Sequence, residues 1–112
     1  DFDDTLIVNR KVNLDIISLI YKFKNSKKNV YLITRHKYDI FDSLKYYCIH
    51  ENLFTEIIWI NNKKIKKSDY IKDGSIFIDD SFAEREEVLN SNKNIFVFDV
   101  DSIEILLNNI HI

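Results

Sequence analysis

The chain has 112 residues, 46% of them hydrophobic and 13% aromatic, which is one domain's worth of sequence with enough apolar surface for a single sizeable core. A formal net charge of -2 provides no global basic field of the kind nucleic-acid binders carry, and a single glycine excludes the glycine-rich phosphate loops of P-loop and dinucleotide-binding folds. Cys48 stands alone, so neither a disulfide framework nor a thiolate metal site is available, and no apolar run reaches membrane-spanning length or reads as a signal peptide; a cytoplasmic location is expected. No methionine occurs, so Asp1 is not expected to be a natural start.

The chain opens "DFDDTLIVNR", with three carboxylates in four residues. Asn13 then reads as a helix N-cap and Asp15 as a first-turn acid, ahead of a helix ending near Lys24. Leu14, Ile17 and Tyr21, with Ile16, Ile20 and Phe23 beside them, supply its broad apolar face. "NSKKN" breaks that pattern, and "VYLIT" follows as a continuous apolar run of strand formers closed by Thr34. Ile40, Leu44 and Cys48 recur at helical spacing and predict a second helix over about residues 38 to 50. Next come a strand in "EIIWI" and the lysine-rich connection "NNKKIKKSDYIKDG", whose local basic cluster reads as a solvated loop. An Asp73-Gly74 turn leads into the strand "SIFIDD", which ends on Asp79 and Asp80. "SFAE" has capping-box spacing, with Ser81 as N-cap and Glu84 reaching back, and opens a helix through about Leu89. "NIFVFD" is a last strand, and Asp101 and Glu104 repeat the box spacing before a C-terminal helix with Ile103, Leu106 and Leu107. Trp59, Tyr21 and the phenylalanines read as core.

Strands alternating with helices predict an α/β domain with a mainly parallel sheet layered by helices on both faces, and ligands of such sheets gather at the carboxyl ends of the strands. Thr34 closes one strand, Asp79 and Asp80 close another, and Asp1 to Thr5 would close a strand whose body lies upstream. Taken singly, Thr34 reads as a strand end, a lysine as surface charge and an acidic pair as a helix N-terminal preference. Their convergence on one sheet edge points to a site.

These residues resemble the haloacid dehalogenase (HAD) superfamily of phosphohydrolases. Its first motif, D-x-D-x-T-L, matches Asp1-Phe2-Asp3-Asp4-Thr5-Leu6; its second matches "VYLIT" at Thr34; its third, a lysine, is best matched by Lys67 in "KSDYI", where it opens a short helical turn, with Lys63, Lys64 and Lys66 competing; its fourth matches "SIFIDDS" at Asp79-Asp80. The order also separates the chain from receiver domains, which carry the acidic pair on the first strand. The resemblance covers essentially the whole chain and implies a Rossmann-like three-layer sandwich, residues 1–112 forming one core domain of a longer chain with its first strand truncated. Such a piece, lacking a central strand, is expected to fold poorly by itself.

The resemblance further implies a Mg²⁺-dependent phosphohydrolase that cleaves a phosphate monoester through an aspartyl phosphate. Asp1 is then the nucleophile, and Asp3 the general acid and base. Asp1, the Asp3 main-chain carbonyl and Asp80, with Asp79 close by or through water, form a hard oxygen cage for Mg²⁺. Thr34 and Lys67 hold the phosphoryl oxygens. Arg35 and His36 are candidates to line the substrate mouth. A free α-amino group at Asp1 would add a positive charge beside the metal. Residues 7 to 12 leave room for a short loop only and one helix fills the interval after Thr34, so the domain is expected to be capless, using a large substrate or a lid from a second subunit or fused domain. A phosphorylated small molecule or polymer end is the expected substrate, with no membrane partner and nucleic acid not favoured. The alternatives are an idle or accessory HAD-like module of a surface-polysaccharide biosynthetic enzyme, weakly suggested by "FIDDSFAERE" and "FVFDVDSIEIL", and a nucleic-acid end phosphatase using the basic loop.

Overall fold

In the computed structural model, which describes residues 1–111, the alternation of apolar runs and capped amphipathic segments yields an α/β fold with four α-helices and six short strands. The strands are β1 (Ile7–Val8), β2 (Lys11–Val12), β3 (Tyr31–Thr34), β4 (Glu56–Trp59), β5 (Ile76–Ile78) and β6 (Phe96–Phe98), and the helices α1 (Leu14–Asn25), α2 (Ile40–Tyr46), α3 (Phe82–Leu89) and α4 (Ile103–Asn109). Three 3-10 turns, Glu51–Leu53, Lys67–Tyr70 and Val100–Ser102, complete the order.

The helix starts follow local hydrogen-bonding chemistry. The Asn13 side chain accepts from the Asp15 N–H, Asp39 accepts from Phe41 and Asp42, and Ser81 accepts from Glu84, each satisfying an N–H that the first turn leaves without a partner. Two expected capping boxes are incomplete. Glu84 does not reach back to Ser81; its carboxylate takes an ion pair with Arg35 at 2.7 Å. Asp101 lies inside the 3-10 turn before α4, and Ser102, which caps α4, makes no side-chain capping bond. Helix α2 also ends earlier than its apolar spacing predicts, because Cys48 adopts a left-handed conformation (φ 59°) and turns the chain away.

The Phe2 carbonyl accepts from the N–H groups of both Leu6 and Ile7, so residues 1–7 fold back as a turn with Asp4 left-handed (φ 56°). Residues 7 to 12, expected as a plain loop, form a two-residue hairpin in which β1 and β2 pair antiparallel, Ile7 with Val12 and Val8 with Lys11. Asn9 and Arg10 take the two positive φ values, 52° and 62°, that a type I′ turn requires.

Among the described residues the strands form three two-stranded ladders, where the sequence predicts one mainly parallel central sheet. Two ladders are parallel: β3 with β4, from Tyr31 opposite Glu56 to Thr34 opposite Trp59, and β5 with β6, from Ile76 opposite Phe96 to Ile78 opposite Phe98. The strands β3 and β5 each make their ladder along one edge, so the four strands β3 to β6 fall where the sequence predicts them while the continuity of the sheet and the β1–β2 hairpin do not follow the prediction.

One buried cluster gathers Phe2, Leu6, Ile7, α1 residues Ile16, Leu19 and Ile20, Leu32, Ile40, Leu44 and the α4 residues Ile103 and Leu106. A second joins Ile33, Ile60, Ile71, Phe77 and Val88. Each fully buried aliphatic side chain contributes about 1.5–3 kcal/mol relative to exposure. Helix α1 turns Ile16, Leu19 and Ile20 inward, while Leu14 and Tyr21, placed on its apolar face by spacing, are exposed. Phe2, Phe54 and Phe77 are core as expected; Trp59, Phe41, Phe82 and Phe96 are not, since they sit on an outer ladder, an outward helix position or a sheet edge, where part of an aromatic ring remains wet. No helix among the described residues is long and apolar enough to cross a membrane.

Candidate active site

The carboxyl end of β3 carries Thr34 and that of β5 leads into the Asp79-Asp80 pair, and the folded-back opening brings Asp1 to that pair. Carboxylate oxygens of Asp1, Asp79 and Asp80 all lie within 4.8 Å of one another. Like charges at that spacing repel, so the cluster needs cations. One is Lys67, at the start of its 3-10 turn, 2% exposed and donating to Asp79 Oδ2 at 2.7 Å and lying 3.4 Å from Asp1 Oδ1. Of the four lysines that compete for this place, Lys63, Lys64 and Lys66 are exposed and Lys67 is buried.

The two acids of the pair have different surroundings. Asp79 is fully buried and both its oxygens are engaged, Oδ2 by Lys67 and Oδ1 by the Ser81 N–H at 2.9 Å. Asp80 is partly exposed, and its Oδ1 accepts from the buried Thr5 hydroxyl at 3.2 Å, while Thr5 Oγ1 accepts from the Asp80 N–H at 3.2 Å. Thr5 is held in turn by its carbonyl, which accepts from the Asn13 side chain. Arg85, one turn into α3, donates to the carbonyls of Asp79 and Asp80 at 2.9 and 2.8 Å and fixes the backbone beneath both carboxylates.

Thr34 is fully buried and its Oγ1 accepts from the His36 N–H at 3.1 Å. Asp3 does not join the carboxylate cluster through its side chain; Asp3 Oδ2 lies 2.9 Å from His36 Nδ1. Arg35, a candidate for the substrate mouth, is committed to structure: Nε pairs with Glu84, and its two terminal nitrogens donate to the carbonyls of Asn62 and Ile65. The Asp1 α-amino group is pushed down from 8.0 to about 5, chiefly by burial and then by the Lys67 charge, with Asp79, Asp80 and Asp3 opposing.

The geometry thus brings together Asp1, Lys67, Asp79 and Asp80; Thr34 contacts the His36 N–H, and the Asp3 carboxylate is set to one side on the His36 ring. No family model, curated protein or solved structure matches the chain. The reading of the site therefore rests on its own chemistry.

Three participants were not legible in advance as contacts. Thr5 lies within the opening motif, but its grip on Asp80 joins two ends of the fold. Arg85 had a signal, a cation five and six residues after an acidic pair that precedes a helix. Ser43, which meets His36 Nε2 at 2.7 Å, carried no local signal at all.

Proposed function

We propose that the chain is a Mg²⁺-dependent phosphohydrolase that cleaves a phosphate monoester through an aspartyl phosphate on Asp1. The observation that carries this reading is the meeting of Asp1, Asp79 and Asp80 within 4.8 Å beside the buried Lys67 ammonium. The donor set is all oxygen and more negative than Lys67 alone can balance, which suits a hard divalent cation. Since both Asp79 oxygens already accept hydrogen bonds, Asp1 and Asp80 are the carboxylates best placed to ligate directly, with Asp79 holding Lys67 in line. When bound, Mg²⁺ supplies charge neutralisation on the phosphoryl oxygens and on the paired acids.

The chain's own groups account for the proton and bond changes. An Asp1 oxygen attacks phosphorus and the bond to the leaving oxygen breaks, while Asp3 gives its proton to that oxygen. Asp3 then takes a proton from water, whose oxygen attacks phosphorus, releases inorganic phosphate and restores the Asp1 carboxylate. The Thr34 hydroxyl, already accepting from His36, has its hydrogen to donate to a phosphoryl oxygen. The HAD-like three-layer arrangement belongs to the same reading, supported by two parallel ladders whose carboxyl ends carry Thr34 and the acidic pair.

The test is hydrolysis of an aryl phosphate with and without Mg²⁺ by the wild type, Asp1→Asn and Asp3→Asn. Metal-dependent turnover lost in both variants is expected. A folded wild type that binds Mg²⁺ and turns over no phosphate ester would instead make this an idle HAD-like module.

A further inference from the structure

We infer that His36 is a positioning residue for Asp3, restricting the carboxyl group to a single orientation while it serves the leaving oxygen, and that Ser43 holds the ring that does so. The role rests on the phosphohydrolase reading above and names a residue outside its four motifs.

The Asp3 side chain is 57% exposed, so left alone it would sample several rotamers in water. His36 is its opposite, with a side chain 9% exposed and constrained from every direction. Its N–H donates to Thr34 Oγ1, and its carbonyl accepts from the Trp59 indole N–H at 2.8 Å. Its ring packs edge-on against the buried Phe2 ring at 4.7 Å and 65°, and Nε2 lies 2.7 Å from Ser43 Oγ on α2. Nδ1 is then aimed at Asp3 Oδ2 at 2.9 Å. A neutral imidazole has one donor and one acceptor nitrogen. As general acid Asp3 must carry its proton on the oxygen turned to the leaving group, which leaves Oδ2 to accept from Nδ1–H. The Ser43 hydroxyl, which can donate or accept, then gives its proton to Nε2 and fixes the plane of the ring. The Thr34 hydroxyl proposed above to hold a phosphoryl oxygen also accepts from the His36 N–H, so that role and the general acid would share one rigid support.

A general acid matters in proportion to how poor the leaving group is, and that distinguishes positioning from mere packing. His36→Ala, His36→Asn, His36→Gln and Ser43→Ala are assayed with Mg²⁺ on an alkyl phosphate and on p-nitrophenyl phosphate, beside ring ¹⁵N spectra of the wild type, Asp3→Ala and Ser43→Ala. Asn carries an amide nitrogen where His has Nδ1, and Gln where it has Nε2. The expected result is that His36→Ala and His36→Gln lower kcat on the alkyl phosphate about 10- to 100-fold, a part of the roughly 100- to 10,000-fold that a positioned general acid contributes, with KM little changed and the aryl phosphate much less affected. His36→Asn should recover part of the loss. In the spectra, His36 should be a single Nδ1–H tautomer in the wild type and in Ser43→Ala, and a mixture in Asp3→Ala.

Equal losses on both substrates, or none, would overturn the positioning role. A wild-type ring showing the Nε2–H tautomer would overturn the role too, because Asp3 would then spend its proton on Nδ1 and not on the leaving oxygen. No wild-type turnover on either ester, with the Nδ1–H tautomer present, would sink the phosphohydrolase reading and leave the Asp3–His36 contact standing without a catalytic use.

Discussion

Lys67 donates to Asp79 across 2.7 Å with both side chains shut off from water, at 2% and 0% exposure. Removing one member of such a pair leaves the other charge buried and uncompensated, which costs about 3–5 kcal/mol. Lys67→Met should lose stability in that range by urea denaturation. The double variant Lys67→Met, Asp79→Asn should lose less than the sum of the single changes, because the amide needs no counter-ion and its oxygen can still cap Ser81. A loss below about 1 kcal/mol in Lys67→Met would mean that water or another cation reaches Asp79.

A divalent cation bound by Asp1 and Asp80 must stabilise the folded chain by mass action, about 2.7 kcal/mol at a hundredfold excess over Kd. The unfolding midpoint should therefore rise with Mg²⁺ in the wild type and stay flat in Asp80→Asn. Thr5→Val should reduce the effect without abolishing it, since the hydroxyl orients the Asp80 carboxylate and does not replace it. A midpoint in the wild type indifferent to Mg²⁺ would count against the metal.

What could be read from sequence was local. Asn13 and Ser81 announce helix starts because a side-chain oxygen bonds an N–H two or three residues on, and Lys67 opens its short turn as "KSDY" predicts. What could not be read depends on tertiary pairing or on backbone conformations without their usual residue. Asn9 and Arg10 occupy a hairpin turn where glycine normally marks the second position, so the hairpin was hidden. Trp59 and Tyr21 are apolar enough for a core, but which strand edge or helix flank meets solvent is decided by distant elements. The meeting of Asp3 with His36 and Ser43 has no periodic signature; it exists because the opening turn packs Phe2 against the loop after β3.

Two helices stop by the same motif without glycine. After α1, Lys28 N–H bonds the Phe23 carbonyl and Lys27 N–H that of Lys24; after α2, Ile49 N–H bonds Leu44 and Cys48 N–H bonds Lys45. In each the residue beyond the cap is left-handed, Lys27 at φ 63° and Cys48 at φ 59°. A side chain there is strained by its Cβ, and glycine relieves that strain while adding some unfolded-state entropy. Cys48→Gly and Lys27→Gly should each stabilise the chain by about 0.5–1 kcal/mol, the smaller figure applying where the lost side chain packed. Tyr47→Gly, one position earlier at φ -89°, gains no strain relief and should destabilise by a similar amount. Opposite signs at neighbouring positions, read from urea midpoints, separate backbone conformation from side-chain loss; matching signs would mean that the left-handed turn at Cys48 is not held in solution.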